Sequence, residues 1–265
     1  MKMYPTLFVS HGAPDRLLND TPAGRFLDQL GVDWPLPKAV LVLSAHWLSA
    51  SAQYTGPGPL QTLHDFSGFP EALYQLHYPA RGAPWLCEAL AGCLEAAGKP
   101  AREVSRGLDH GAWAPLSQLY PRADIPVIAL SLPATGEIQG YVQLGRSLGP
   151  LRGQGVLILG SGSATHNLGA LSRQPQPPPW ARAFTAWLHE QVLAGDLEAL
   201  ADYRQQAPQA ALAHPTDEHY VPLLVAAGAA AGEPARLLHD SWEYGSLNNS
   251  CFAFGEDLPG TANLH

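Results

Sequence analysis

The apolar positions of this chain form short continuous runs that are separated by longer stretches with helical periodicity. The runs are rich in branched aliphatic residues, end in small or turn-forming residues, and cover residues 6–10, 39–44, 126–132 and 156–160. They are continuously apolar rather than alternating, which is typical of strands covered on both faces. The pattern therefore predicts four buried strands.

Helical periodicity is clearest over residues 83–97 and 180–194. Weaker patterns indicate further helices at residues 136–148, 196–204 and 222–231 and a final strand at residues 247–254. Strands that alternate with helices predict an α/β fold. We expect a three-layer domain with a largely parallel or mixed central sheet and helices on both faces.

A chain of 265 residues in this class is expected to form one domain, residues 1–265. A core of that size needs neither disulfides nor a structural metal, so any bound metal is free to take part in chemistry. The consecutive prolines within residues 174–179 predict an exposed loop rather than a domain boundary.

Charge and cysteine content narrow the classes of function. The 15 basic and 23 acidic residues give a net charge of −8, without the basic cluster that nucleic-acid binding requires. Cys87, Cys93 and Cys251 form no closely spaced pair, which argues against a disulfide framework and a zinc ribbon. The first residues do not resemble a signal peptide, and no stretch approaches the ~20 apolar residues of a membrane span. We expect a cytoplasmic monomer or small homo-oligomer that binds neither nucleic acid nor membrane.

Three histidines follow predicted strands at the point where each strand ends. His11 follows the first strand, His46 the second and His166 the fourth. The carboxyl ends of parallel strands form the edge at which open α/β sheets bind ligands. A single histidine there is more simply a polar loop residue, but three at one edge indicate a functional site.

A fourth candidate lies in the segment HPTDEHYVP, residues 214–222. Pro222 suits the start of a helix, so Glu218 and His219 should lie just before its amino end. The positive end of the helix dipole favours neutral imidazole, the form that binds a metal. An ordinary polar helix start is the alternative interpretation.

Other signals are weaker. His110, after Asp109, is either a second proton-transfer or substrate-binding group or part of a loop turn. Three aromatic residues either form a wall for a flat substrate or, beside Gly and Pro, simply pack a loop down: Phe66, Phe69 and Trp113. The segment GSGSAT, residues 160–165, fits neither a dinucleotide-binding fingerprint nor a nucleophile elbow. The remaining histidines without contextual support are His64, His77, His189, His239 and His265.

Several longer motifs occur in one order over nearly the whole chain. They are SHGAP (10–14), LSAHW (43–47), HDFSGFPEALYQLHYPA (64–80), GLDHGAWAPLSQLYPRADIPV (107–127), GSGSATHNL (160–168) and HPTDEHYVPLL (214–224). In these motifs the sequence resembles the class III extradiol ring-cleavage dioxygenases, in the branch similar to 4,5-DOPA dioxygenase.

The resemblance implies a non-haem Fe(II) ion for activity, with Zn(II) often found in the same place. His11, His46 and His219 match the ligands, and Glu218 competes with His219 because related enzymes use a carboxylate there. His166 matches the acid/base histidine and is also a possible fourth ligand. His110 matches a second histidine of the substrate pocket.

The implied reaction is the insertion of O2 into the ring of a small aromatic diol, next to the diol, giving a ring-opened semialdehyde. His166 would take up a proton from the substrate, and His166 or His110 would return it.

SHGAP and SGSATHN depart from the commoner HGSP and SGNVVHN-like forms, so substrate choice could differ. The residue that would bind a substrate carboxylate is not identified, and Arg106 is a guess for this role. The rival functions are a zinc-dependent hydrolase and a non-redox signalling or interaction protein of the same superfamily.

Overall fold

The computed structural model describes residues 3–256. The strands are β1 (Thr6–Ser10), β2 (Ala39–Ser44), β3 (Leu48–Ser49), β4 (Gln53–Thr55), β5 (Arg102–Val104), β6 (Val127–Ala129), β7 (Leu132–Pro133), β8 (Val156–Gly162), β9 (Ala235–His239), β10 (Trp242–Glu243), β11 (Leu247–Asn248) and β12 (Cys251–Phe254). The helices are α1 (Pro22–Asp33), α2 (Glu71–Tyr74), α3 (Pro84–Ala96), α4 (His110–Leu119), α5 (Gln139–Leu148), α6 (Pro179–Ala194), α7 (Leu197–Ala201), α8 (Tyr203–Gln206), α9 (Ala210–Ala213) and α10 (Val221–Ala229). Short 3-10 helices lie at Pro14–Leu18, Gly149–Gln154 and Leu168–Ala170.

The central sheet of the described chain has six strands in the order β6-β2-β8-β1-β12-β9. β6, β2, β8 and β1 pair in parallel, whereas β12 pairs antiparallel with both β1 and β9. The predicted largely parallel or mixed sheet is therefore confirmed, and the antiparallel strands all lie toward one edge.

Both faces of the sheet are covered, which explains the continuous apolar runs. On β2, Val40 and Val42 pack with the buried residues of α1 and α4. Leu41 and Leu43 point to the opposite face and pack with α3, α5, α6 and α10. Alternate side chains of a strand point to opposite faces, so both sets must be apolar. The predicted three-layer arrangement is confirmed.

Several predicted elements are shorter than their sequence patterns. The run at residues 126–132 is divided, because the Ala129 N–H donates to Thr55 Oγ1 and Leu132 pairs instead with Leu48 in a small separate sheet. The predicted final strand is divided as well. Its break comes where the Ser250 N–H donates to the Asn248 side chain in place of a ladder partner.

The helical pattern at residues 196–204 is interrupted at Asp202, which separates α7 from α8. The pattern analysis did not predict α1 or α4, and α4 contains Pro115 in its interior.

The proline-rich segment is an exposed loop that leads into α6, as predicted. His265 lies outside the described residues.

A buried arginine, Arg152, joins three parts of the chain near the amino end of β1. Arg152 has a side chain that is 1% exposed, and it donates to the carbonyls of Tyr4 and Ala229. Its guanidinium also forms two hydrogen bonds with the carboxylate of Glu233, at 2.8 and 2.7 Å. The hydrogen bonds to Arg152 lower the pKa of the Glu233 carboxyl.

Replacing Glu233 with Gln should lower the free energy of unfolding by about 2–3 kcal/mol near neutral pH, because the buried guanidinium loses its counter-charge. A lowered carboxyl pKa contributes its full stabilisation above the ordinary value of 4.5, and this contribution is lost as the pH falls from there through the lowered pKa. Urea unfolding of wild type and Glu233→Gln from pH 3 to 7 should therefore show the two stabilities converging in acid. Asp124→Asn, which breaks an exposed pair with Arg122, is the control and should change little. An unchanged stability for Glu233→Gln at pH 7 would contradict this account.

Candidate metal centre and active site

Three neighbouring parallel strands bring their histidines to one edge of the sheet. β2, β8 and β1 are adjacent, and His46, His166 and His11 follow their carboxyl ends. The pairing continues beyond the strands, since the His11 N–H donates to the Gly162 carbonyl and the Ala45 N–H to the Ser161 carbonyl. The predicted convergence at the ligand-binding edge is observed.

The rings of His11 and His46 face each other through their Nε2 atoms, which lie 3.1 Å apart. His11 Nδ1 lies 3.0 Å from Ser161 Oγ, and this hydroxyl itself donates to the Gly111 carbonyl. Ser161 therefore accepts the proton on His11 Nδ1, which leaves a lone pair on His11 Nε2. The sequence analysis missed this role of Ser161.

His219 reaches the same site from the start of α10. The Ser163 N–H donates to the His219 carbonyl at 2.9 Å, and a Cβ on Gly162 would overlap that carbonyl. Ring centres of His219 lie 4.9 Å from His46 and 5.3 Å from His11. Its Nε2 is buried and has no hydrogen-bond partner in the described part of the chain.

Glu218 supports His219 instead of lying among the facing Nε2 atoms. Its Oε1 is 3.2 Å from His219 Nδ1 and also accepts a hydrogen bond from Thr216. The hydrogen bond with His219 is the main cause that lowers the pKa of Glu218 to about 2. A carboxylate that holds the far nitrogen of an imidazole fixes which nitrogen can bind an ion.

His110 lies in this cluster, at the first residue of α4 and not in a loop. Asp65 Oδ1 accepts hydrogen bonds from both the backbone N–H and Nδ1 of His110, at 2.8 and 3.0 Å. Burial raises the pKa of Asp65, but the hydrogen bonds from His110 outweigh burial and hold it at about 2. Asp65 fixes the His110 ring, and the sequence analysis missed it although it lies within the motif at residues 64–80.

His166 stacks on His219 with ring centres 3.4 Å apart and planes only 7° from parallel. The lone pairs of parallel stacked imidazoles run side by side and do not converge on one point. This arrangement suits a proton-transfer role better than joint ligation with His219.

Four of the clustered imidazoles, those of His11, His46, His166 and His219, are held neutral. Burial, followed by the charge of the other histidines, lowers the pKa of His46 to about 2 and that of His166 to about 3. The pKa values of His11 and His219 are also lowered, mainly by burial. Neutral imidazole is the form that binds metal or accepts a proton.

The cluster forms the floor of a cavity of about 650 Å³. Phe66 and Phe69 line this cavity, as the predicted aromatic wall requires. Trp113 does not line it, because the indole is 1% exposed and donates to the Leu63 carbonyl. Arg106 does not line it either, because it pairs with Asp109 and stacks over the ring of Trp47. The other histidines with described side chains also lie outside the lining: His64, His77, His189, His214 and His239.

The donor set fits a divalent transition metal. Two nitrogens that bind one ion at ~2.0–2.1 Å lie roughly 3.0–3.4 Å apart, and the His11–His46 separation falls in that range. Within the described residues, one ligand atom from each of His11, His46 and His110 lies within 4.8 Å of the others. The buried, unpaired Nε2 of His219 also requires a partner such as a cation.

Comparison with known proteins identifies the family. The model of the catalytic LigB subunit of aromatic ring-opening dioxygenases matches residues 24–255. The chain belongs to this LigB family.

Relatives match it over almost their full length. The chain is 40% identical to "4,5-DOPA dioxygenase extradiol" of Beta vulgaris, over 94% of this chain and 96% of that protein. It is 36% identical to the protein of the same name from Escherichia coli K12, over 92% of each. A crystal structure of an uncharacterized Escherichia coli K12 protein superposes with a TM-score of 0.81 at 32% identity, covering 96% of this chain and 100% of that one.

Membership in the LigB family confirms the predicted function class. The protein is an extradiol ring-cleaving dioxygenase, an oxidoreductase that acts on an aromatic substrate with O2 and depends on a metal. In residues 3–256, no helix combines the length and the apolar character needed to cross a membrane.

Gly111 is needed for α4 to approach the histidines. A Cβ there would overlap Ser44 Oγ and lie 2.9 Å from His46 Cδ2 and 3.3 Å from His11 Cε1. Gly111→Ala should therefore displace both rings and weaken Zn(II) affinity by roughly 10–100-fold, measured by chelator competition. Gly92→Ala in α3 is the matched control, because a Cβ there meets nothing within 4 Å. Wild-type affinity in Gly111→Ala would show that the rings do not depend on this contact.

Proposed function

We propose that this dioxygenase inserts O2 into the ring of a catechol, such as DOPA or a catecholic acid, next to the diol, and releases a ring-opened semialdehyde. One observation carries the proposal, namely the clustered imidazoles of buried His11 and His219 and half-buried His46 in the lining of a cavity walled by Phe66 and Phe69. The names of the relatives from Beta vulgaris and Escherichia coli support a DOPA-like diol.

The proposed ligands are His11, His46 and His219. The 3.1 Å approach of His11 and His46 and the unpaired Nε2 of His219 support this set. Glu218 then acts by fixing His219, since its carboxylate holds Nδ1. His110 is the competing third ligand, because its ligand atom lies within 4.8 Å of those of His11 and His46.

The expected metal for activity is Fe(II), and Zn(II) is expected to occupy the same site. A bound Fe(II) ion supplies both the charge that lowers the pKa of the catechol hydroxyls and the redox chemistry of O2, whereas Zn(II) supplies only the charge.

The cavity residues hold the substrate and move protons. Phe66 and Phe69 bind the flat ring and exclude water from its faces. His166 is neutral, so a ring nitrogen can accept a proton from a substrate hydroxyl. Asp65 keeps the proton of His110 on Nδ1, which leaves Nε2 to accept a proton and return it to the product.

Three other expectations stay predictions. They are a single catalytic domain over residues 1–265, a monomer or small homo-oligomer, and a cytoplasmic location.

The reaction is tested by anaerobic loading with Fe(II), addition of a catechol panel, and admission of air. Oxygen uptake and a yellow product should appear with Fe(II) and remain absent with Zn(II), because only iron supplies the redox step. An oxygen electrode and an absorbance spectrum provide the measurements. If metal analysis shows bound Fe(II) and no catechol consumes oxygen, the proposed catechol substrate class is wrong.

Alanine variants separate ligands from proton-transfer groups. His219→Ala and His46→Ala should both lose bound metal, whereas His110→Ala and His166→Ala should retain it. His166→Ala should lower kcat by about 10²–10⁴-fold, the usual contribution of a general acid or base. Metal content after dialysis and kcat with Fe(II) are the measurements. Metal loss from His166→Ala would show that His166 is a ligand. If His110→Ala lost the metal and His219→Ala retained it, His110 would be the third ligand in place of His219.

A further inference from the structure

The mouth of the cavity carries a carboxylate that the reaction described above does not use. Asp15 lies in the 3-10 helix Pro14–Leu18, four residues after His11, and lines the same cavity as the histidines. Tyr244 also lines this cavity, and its hydroxyl lies 3.1 and 3.0 Å from the Oδ1 and Oδ2 atoms of Asp15. The two residues are 229 positions apart in the chain, and their contact joins the 3-10 helix to the connection between β10 and β11.

Tyr244 is held in place by its own turn. It has a φ of 48° in the tight connection between β10 and β11, a left-handed conformation that is uncommon for a tyrosine. The Ser172 N–H donates to the Tyr244 carbonyl at 2.9 Å, and Gly245 packs so closely on Ser172 that a Cβ would overlap its hydroxyl. The phenol is thereby directed at Asp15 by the fold.

The phenol leaves Asp15 with unused acceptor capacity. A tyrosine hydroxyl donates a single hydrogen, whereas a carboxylate accepts up to about four hydrogen bonds. Burial, and then the hydrogen bond and charge of Asp15, raise the pKa of Tyr244 to about 12, so the phenol remains a donor. Partly buried Asp15 can therefore accept further hydrogen bonds from a group inside the cavity.

No cation faces Asp15 from the described lining of the cavity, which contains neither lysine nor arginine. The adjacent Arg16 is buried and directed to the Ser10 carbonyl, Asn249 and Glu243. Asp15 is also the one carboxylate among the described lining residues.

We propose that Asp15, positioned by Tyr244, binds the ammonium group on the side arm of the catechol substrate, and that the cavity disfavours arms that carry only a carboxylate. The inference rests on the proposed catechol-cleaving function and narrows its substrate class. A carboxylate paired with an ammonium forms a charge-assisted hydrogen bond, whereas a second carboxylate at the mouth is repelled. Asp15 is thus a specificity-determining residue that takes no part in ring opening.

The test measures binding, so that it does not depend on turnover. Zn(II)-loaded protein is titrated with three catechols that differ in the charge of the arm: dopamine (cationic), hydroxytyrosol (neutral) and homoprotocatechuate (anionic). Wild type should bind dopamine about fivefold more tightly than hydroxytyrosol, and homoprotocatechuate more weakly than both, as expected for one partly exposed ion pair.

Two variants and a matched control assign the preference to Asp15. Asp15→Asn should bring the ratio of the dopamine and hydroxytyrosol dissociation constants close to one, and Tyr244→Phe should reduce it partly. Asp20→Asn, which removes an acid of the same segment that pairs with Arg25, should keep the wild-type ratio. Calorimetry gives the constants, and a thermal melt verifies that each variant is folded.

The inference would be overturned if wild type bound homoprotocatechuate as tightly as hydroxytyrosol, or more tightly. It would also be overturned if Asp15→Asn kept the wild-type ratio of the dopamine and hydroxytyrosol dissociation constants, or if the wild type bound no catechol. Oxygen uptake by the Fe(II)-loaded protein with hydroxytyrosol tests the dioxygenase function separately. If the predicted ratios are found and no catechol consumes oxygen, the proposed reaction fails while the role of Asp15 stands.

Discussion

The site depends on the burial of several imidazoles against one another. The rings of His11 and His46 lose water, and each would repel a positive charge on its neighbours, so both stay neutral and keep their lone pairs. Lone pairs that face each other at 3.1 Å, as in His11 and His46, repel unless a proton or a cation lies between them. A metal ion between the two nitrogens would remove this repulsion. The same geometry that lowers the pKa of the histidines therefore favours metal binding.

The fold makes this approach possible through short side chains behind the histidines. α10 packs directly on β8, where a Cβ on Gly160 or Gly162 would overlap the backbone of Pro222 or His219. The glycines of the segment GSGSAT therefore serve the contact between a helix and a strand, not the binding of a phosphate. Asp65 and Glu218 then fix the outer nitrogens of their histidines, so that ring orientation is set from outside the cavity.

The sequence predicted the parts of this site that obey a local rule. His11, His46 and His166 follow apolar runs, and the end of a buried parallel strand determines where such residues lie. Ser161 and Asp65 could not be predicted in the same way, because their partners are 150 and 45 positions away and any loop serine or aspartate has the same local pattern. α4 was missed because Pro115 lies inside it, although tertiary packing stabilises the helix despite that residue.

Charge in this protein is sparse, at 14% of residues, and the arginines near the site are matched by acids. Arg16 pairs with Glu243 and Arg106 with Asp109, so neither is available to a ligand. Asp15 differs because its nearest partner is a neutral phenol, which lowers the energy of the anion without cancelling its charge. The field at the cavity mouth is thus negative, whereas a bound ion would make the floor positive. A substrate with an acidic diol at one end and a cation at the other complements both the positive floor and the negative mouth. A catechol whose arm bears only a carboxylate complements the floor but is repelled at the mouth.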